Sequence, residues 1–170
     1  MFGGSGGGAN GAFKPGSEVF VSYGTFDNVE TLANYGFVSD TPNVCNIEQF
    51  KVRSATMGAR GPAILIVDSE GTIDNLFNTM SLDALRLSLA TPEEIESYKE
   101  KKTGMISEPN EEETFALIAG ELEEAVYDAK AGAKEAEAKN DVLVARYLKE
   151  RHRTLSKGLD WVKSKFPQVF

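Results

Sequence analysis

Few side chains in this 170-residue chain have a type and spacing that could do chemistry. The only cysteine is Cys45 and the only histidine is His152. Neither has a second Cys or His near it in sequence, so no zinc-type ligand spacing exists. Cys45 reads as a small, partly buried hydrophobe. His152, set between Arg151 and Arg153 with no carboxylate or nucleophile in view, reads as structural or solvent-exposed. Asp68-Ser69-Glu70-Gly71 has the look of a cation loop, but oxygen ligands at loop spacing do not continue past Asp74, and no metal is expected. The glycine cluster in MFGGSGGGAN follows no strand and leads to no Lys-Ser/Thr, so it fails the context of a phosphate loop. What remains is an aromatic set, Tyr23, Tyr35 and Phe37, within Glu18 to Val38.

That stretch reads as a strand, a turn and a short helix. Val19, Val21 and Tyr23 alternate with Glu18, Phe20 and Ser22 across the strand. Gly24, Thr25, Asp27 and Asn28 break it. Asp27 or Asn28 can cap a helix carrying Val29, Leu32 and Ala33, and Gly36 can stop it. From periodicity alone, the three aromatics are ordinary core residues anchoring a strand to a helix.

The ordered set Tyr23, Asn28, Leu32 and Tyr35-Gly36-Phe37 resembles the C-terminal motif of SET-domain protein methyltransferases. The branch it is similar to is the one typified by the plant Rubisco large-subunit lysine methyltransferase. Where that family often writes Gly-Glu-Glu at the start of the strand, this chain has Gly16, Ser17 and Glu18. The resemblance implies S-adenosylmethionine as donor and a protein lysine as target, with histidine the target in some relatives. It implies Tyr23 as the catalytic tyrosine and Tyr35 and Phe37 as walls of the substrate channel. Methyl transfer to an amine is an in-line displacement governed by positioning and electrostatics. A lysine of reference pKa about 10.4 must first lose its proton. A dry aromatic channel helps by disfavouring the ammonium, and a tyrosine hydroxyl can accept CH···O contacts from the methyl group. The family's Asn-His motif has no counterpart in this sequence. The likeness therefore implies the C-terminal part of such an enzyme, and no residue here is assigned to cofactor binding. The alternative is a non-catalytic helical protein-interaction module with a vestigial SET tail.

Composition and length suit one to one and a half globular domains, burying roughly 70% of the unfolded surface. The net charge of -8 argues against nucleic acid as a partner. No apolar run is long enough to cross a membrane and no signal peptide is evident. With a single cysteine, a reducing, intracellular setting is expected, cytoplasmic or plastid.

The expected class is α+β, a short β segment from the end of a SET domain followed by a mostly α-helical domain. Residues 1–14 read as a flexible Gly-rich tail, 15–44 as the SET end, and 45–170 as the helical substrate-binding domain. Within the last, strands are expected at Ile47 to Thr56 and over the apolar run Ala63 to Val67. Leu82, Leu85 and Leu89 mark a helix. Thr91-Pro92-Glu93-Glu94 is a capping box opening another, to about Lys101. Asn110 and Glu113 can form a reciprocal cap for a third, striped by Phe115, Ile118, Leu122 and Val126. Ala129 to Lys139 reads as either a helix extension or a loop. The last helix spans about Asp141 to Phe166, with Val144, Leu148, Leu155, Leu159, Val162 and Phe166 inward and Trp161 as a packing anchor. Its opposite face carries Arg146, Lys149, Arg153 and Lys157. These form either a patch for an acidic partner segment or a solvated face paired with Glu121, Glu123, Glu124 and Asp128. The order of these helices, with Ile106, Ser107, Asn110 and Glu111, is similar to the substrate-binding domain of the same branch.

Overall fold

The computed structural model describes residues 24–43, 46–52, 63–68, 77, 79–101 and 104–170. The proposed strand through Tyr23, the Gly-rich start, Cys45 and the turn after Asp68 lie outside these residues. What is described is mostly helical, with one antiparallel strand pair.

The first helix, α1 (Asn28–Tyr35), begins where its sequence says it should. Asp27 accepts from the Glu30 backbone N–H at 2.7 Å, and Glu30 accepts from the Asp27 N–H at 3.0 Å, closing a capping box. Gly36 ends it in the left-handed region at φ 72°, a conformation open to glycine at little cost. The apolar residues of this helix do not bury. Val29 and Ala33 are exposed, and Asn28 is the one buried side chain.

Strand β1 (Ile47–Val52) pairs with β2 (Ala63–Asp68) from Ile47 opposite Asp68 to Val52 opposite Ala63. Glu48, Phe50 and Val52 point inward while Ile47, Gln49 and Lys51 face solvent.

Helices α2 (Thr79–Leu89), α3 (Pro92–Lys101), α4 (Glu108–Ala138) and α5 (Val142–Lys165) follow, with a 3₁₀ turn at Pro167–Val169. Thr91 and Glu94 make the expected reciprocal cap of α3. The cap of α4 differs from expectation. Ser107 Oγ takes the Asn110 backbone N–H at 3.1 Å, while the Asn110 side chain turns inward and donates to the Arg86 carbonyl at 2.9 Å. Glu113 is left exposed. Beside this cap, Arg86 grips Glu111 through two hydrogen bonds of 2.7 and 2.5 Å, fastening α2 to α4.

Ala129 to Lys139 is helix rather than loop up to Ala138, and packing explains it. Ala129, Ala133 and Ala136 are buried against α5, and a Cβ on Gly132 would stand 3.0 Å from Leu148 Cδ1. Small residues let the two helices approach closely. Asn140, at φ 58°, turns the chain, and Asp141 caps α5 by accepting from the Val144 N–H at 3.1 Å.

The core gathers Phe50, Val52, Phe77, Leu85, Phe115, Ile118, Leu122, Leu155 and Val162. Trp161 anchors it as expected, with rings of Phe77 at 5.4 Å and Phe115 at 5.7 Å, and Phe115 stacks on Phe166 at 4.0 Å. Two residues of the expected α5 stripe fall outside this packing: Val144, near the first turn, is exposed, and Leu148 is half-buried beside Gly132.

Candidate functional site

The short helix α1 and its left-handed stop at Gly36 set Tyr35 and Phe37 side by side. Their ring centroids are 6.3 Å apart, and Phe26, from the turn before α1, approaches Tyr35 at 5.6 Å. Tyr35 is 51% exposed and Phe37 52%. Among the described residues these rings form an open aromatic face, not a closed channel. Tyr23, the third member of the expected set, lies outside the described residues. Phe26 was not singled out in the sequence, where it looks like one more residue of a turn.

Beneath this face lies a buried polar network that ties it to α5. Asn28 and Asn46 are fully buried, and the Asn28 backbone N–H donates to Asn46 Oδ1 at 3.0 Å. Asn46 Nδ2 donates in turn to Thr154 Oγ1 at 3.0 Å and to Glu48 Oε1 at 3.1 Å. Asn43 bonds the Phe26 carbonyl at 3.0 Å and Asn28 Oδ1 at 3.1 Å. Arg151 meets Glu48 Oε2 at 2.6 Å and donates to the Gln49 carbonyl at 3.2 Å. Burial pushes the Glu48 carboxyl above its ordinary value, more than the Asn46 hydrogen bond and the Arg151 charge pull it down. Burial, reinforced by the Glu48 charge, likewise raises the Tyr147 hydroxyl. A buried polar group without a partner costs about 1–3 kcal/mol, and this network leaves only Asn28 Nδ2 among its own side-chain atoms unsatisfied.

Two arginines of the row on α5 complete the attachment. Arg146 donates to the Val38 carbonyl at 3.0 Å and pairs with Asp40 at 2.5 Å. Arg153 donates to the Asn43 carbonyl at 3.1 Å and pairs with Glu150 at 2.9 Å. Lys149 pairs with Glu137 at 2.5 Å. So three members of this row are held at sites other than the expected Glu121, Glu123, Glu124 and Asp128. The reason is geometric: the row faces the segment after α1 and the far end of α4.

A hollow of about 400 Å³ lies between β1, α4 and α5. Glu121, Glu124 and Asp128 line one side of it and Lys51 and Arg151 the other. The described residues contain no cluster able to hold a metal ion and no helix long and apolar enough to cross a membrane.

The buried Asn28, Asn46, Glu48 and Thr154 set was missed at the level of sequence. Its signal was there in Glu48, a carboxylate on the inward phase of a strand whose other inward residues are Phe50 and Val52. No family model, curated protein or solved structure matches this chain.

Proposed function

We propose that the chain is the C-terminal part of an S-adenosylmethionine-dependent protein-lysine methyltransferase of the SET family. On this reading it contributes the tyrosine strand, the Tyr35-Gly36-Phe37 corner and a helical platform for the protein substrate. The observation that carries the reading is the ordered set Tyr23, Asn28, Leu32 and Tyr35-Gly36-Phe37. Its described part forms a capped helix with a left-handed glycine stop and two adjacent, accessible rings.

Such rings suit a cation. The face of an aromatic ring attracts an ammonium or sulfonium group, by about 0.5–2 kcal/mol depending on desolvation. Tyr35 and Phe37 would wall the approach of the substrate amine, exclude water from it and so favour its neutral, nucleophilic form. Tyr23 would orient that amine. The donor would supply the methyl group, and on this reading this chain's share is the acceptor side. The anchoring of the corner by Arg146, Asn46 and Thr154 would keep the rings in register with the helical platform.

A second reading, a non-catalytic helical interaction module, is favoured by one feature. Among the described residues, the core built around Phe115 and Leu155 includes none before β1.

The test uses the full-length product of the gene that carries this chain, incubated with labelled S-adenosylmethionine and a lysine-rich protein extract. Label is expected in protein lysines, falling about tenfold or more for Tyr23→Phe, a barrier increase of about 1.4 kcal/mol. Binding of S-adenosylhomocysteine should survive that substitution. A product that neither binds S-adenosylhomocysteine nor transfers label supports the interaction module instead.

A further inference from the structure

Near its C-terminal end, α4 presents Lys130, Ala133, Lys134 and Glu137 on one face, at the spacing that makes helical neighbours. Opposite them α5 presents Lys149 and His152. These six residues bound a hollow of about 280 Å³. Buried Ala133 contributes only a methyl group, so the long side chains can stand around an open centre.

We propose that this hollow binds a doubly charged oxyanion of the phosphate-monoester class, held by Lys130, Lys134 and His152. The charge balance of the region points there. Neighbouring cations are already paired: Lys139 with Glu135, Lys149 with Glu137, Arg146 with Asp40 and Arg153 with Glu150. The side chains of Lys130, Lys134 and His152 make no hydrogen bond or ion pair among the described residues. Two ammonium groups one helical turn apart repel each other, by a few tenths of a kcal/mol in exposed helices. An anion between them turns that repulsion into attraction.

Glu137 would oppose an anion, but it is engaged by Lys149 at 2.5 Å. Three ammonium groups against one carboxylate leave the lining at a net charge of +2 with His152 neutral, which matches a phosphoryl dianion. Lysine binds phosphate as a point charge, and an imidazole N–H adds a directed donor. The volume accommodates a phosphoryl group with an organic substituent, since a water molecule occupies about 30 Å³ of liquid.

The setting sharpens the preference. In a chain of net charge -8, α4 carries eight carboxylates from Glu108 to Asp128 and no Lys or Arg before Lys130. Within α4 the positive charge is therefore confined to the C-terminal end, beside the hollow. This inference rests on no part of the methyltransferase reading.

The experiment is an NMR titration of the chain carrying ¹³C-labelled lysine. The probes are inorganic phosphate, a phosphoserine peptide and the same peptide without phosphate. Saturable shifts are expected at the Lys130 and Lys134 side chains. Affinity should fall about tenfold or more in the Lys130→Gln/Lys134→Gln double variant, the loss of one charge-assisted hydrogen bond or more. It should fall less in His152→Gln and stay unchanged in Lys165→Gln. Circular dichroism establishes that each variant keeps its helix content, as exposed Lys130, Lys134 and Lys165 and half-buried His152 should. Phosphopeptide binding tighter than phosphate identifies a protein-borne group, and equal binding identifies a small-molecule ligand; either supports the site. Unsaturable drift, equal binding of the unphosphorylated peptide or unchanged affinity in the double variant overturns it.

Discussion

Glu48 occupies an inward position on β1 where its neighbours are Phe50 and Val52, and 1% of it is exposed. A carboxylate there is tolerated because Arg151 and Asn46 meet both of its oxygens. They do not fully offset its desolvation, so its folded-state pKa lies above the ordinary 4.5. The folded protein therefore holds the Glu48 proton more tightly than the unfolded chain does. The resulting stability is fully present below pH 4.5 and is lost as pH rises through the raised value. Denaturant unfolding of wild type and Glu48→Gln across that pH range checks this. The glutamine variant should gain on wild type as pH increases, and a constant difference would show that the carboxyl titrates normally. Arg86, also buried, shows the opposite balance. Burial depresses its guanidinium, but the hydrogen bonds and charge of Glu111, with Asp83 beside it, raise it further.

Helix α4 shows how packing overrides propensity at the level of elements. It contains two glycines, each costing a helix about 0.8–1 kcal/mol relative to alanine. At Gly120 no atom lies within 4 Å of an added Cβ, whereas at Gly132 Leu148 Cδ1 would be 3.0 Å away. Gly120→Ala should therefore stabilise the protein by about 0.5–1 kcal/mol in thermal or urea unfolding, and Gly132→Ala should return less. Equal gains would mean that the close approach of α5 is not constrained there. The same contrast explains how much of the architecture was legible beforehand. The caps at Asp27 and Thr91, the stop at Gly36, the start of α5 at about Asp141 and the inward Leu155 and Leu159 follow local rules, and they stand where those rules put them. Whether Ala129–Lys139 is helical depended on a partner helix that only the tertiary structure supplies. The anchoring role of Asn28, Asn43 and Asn46 was equally hidden, because asparagine in a loop reads first as a turn former. Of the candidate site, the adjacency of Tyr35 and Phe37 followed from the corner, while their exposure and the approach of Phe26 did not.

At the scale of the molecule, β1, α2, α4 and α5 share one core centred on Phe115, which is 1% exposed and ringed by Phe77, Trp161 and Phe166. Phe115→Ala should cost about 3–5 kcal/mol. Because all four elements meet there, loss of helix signal and of Trp161 fluorescence should shift together in denaturant; separate transitions would mean independent units. The corner before β1 depends on this body through contacts that are remote in sequence. Asn46 and Thr154 are 108 positions apart, Val38 and Arg146 likewise, and Asn43 and Arg153 are 110 apart. On the ribosome the corner is made before its anchors, which follow about 110 residues later. At typical elongation rates of about 5–20 residues per second, the Tyr35–Phe37 face waits on the order of 10 s for them. During that interval its half-exposed aromatic rings are available to chaperones, and a nascent chain stalled before α5 would carry the face without its anchors.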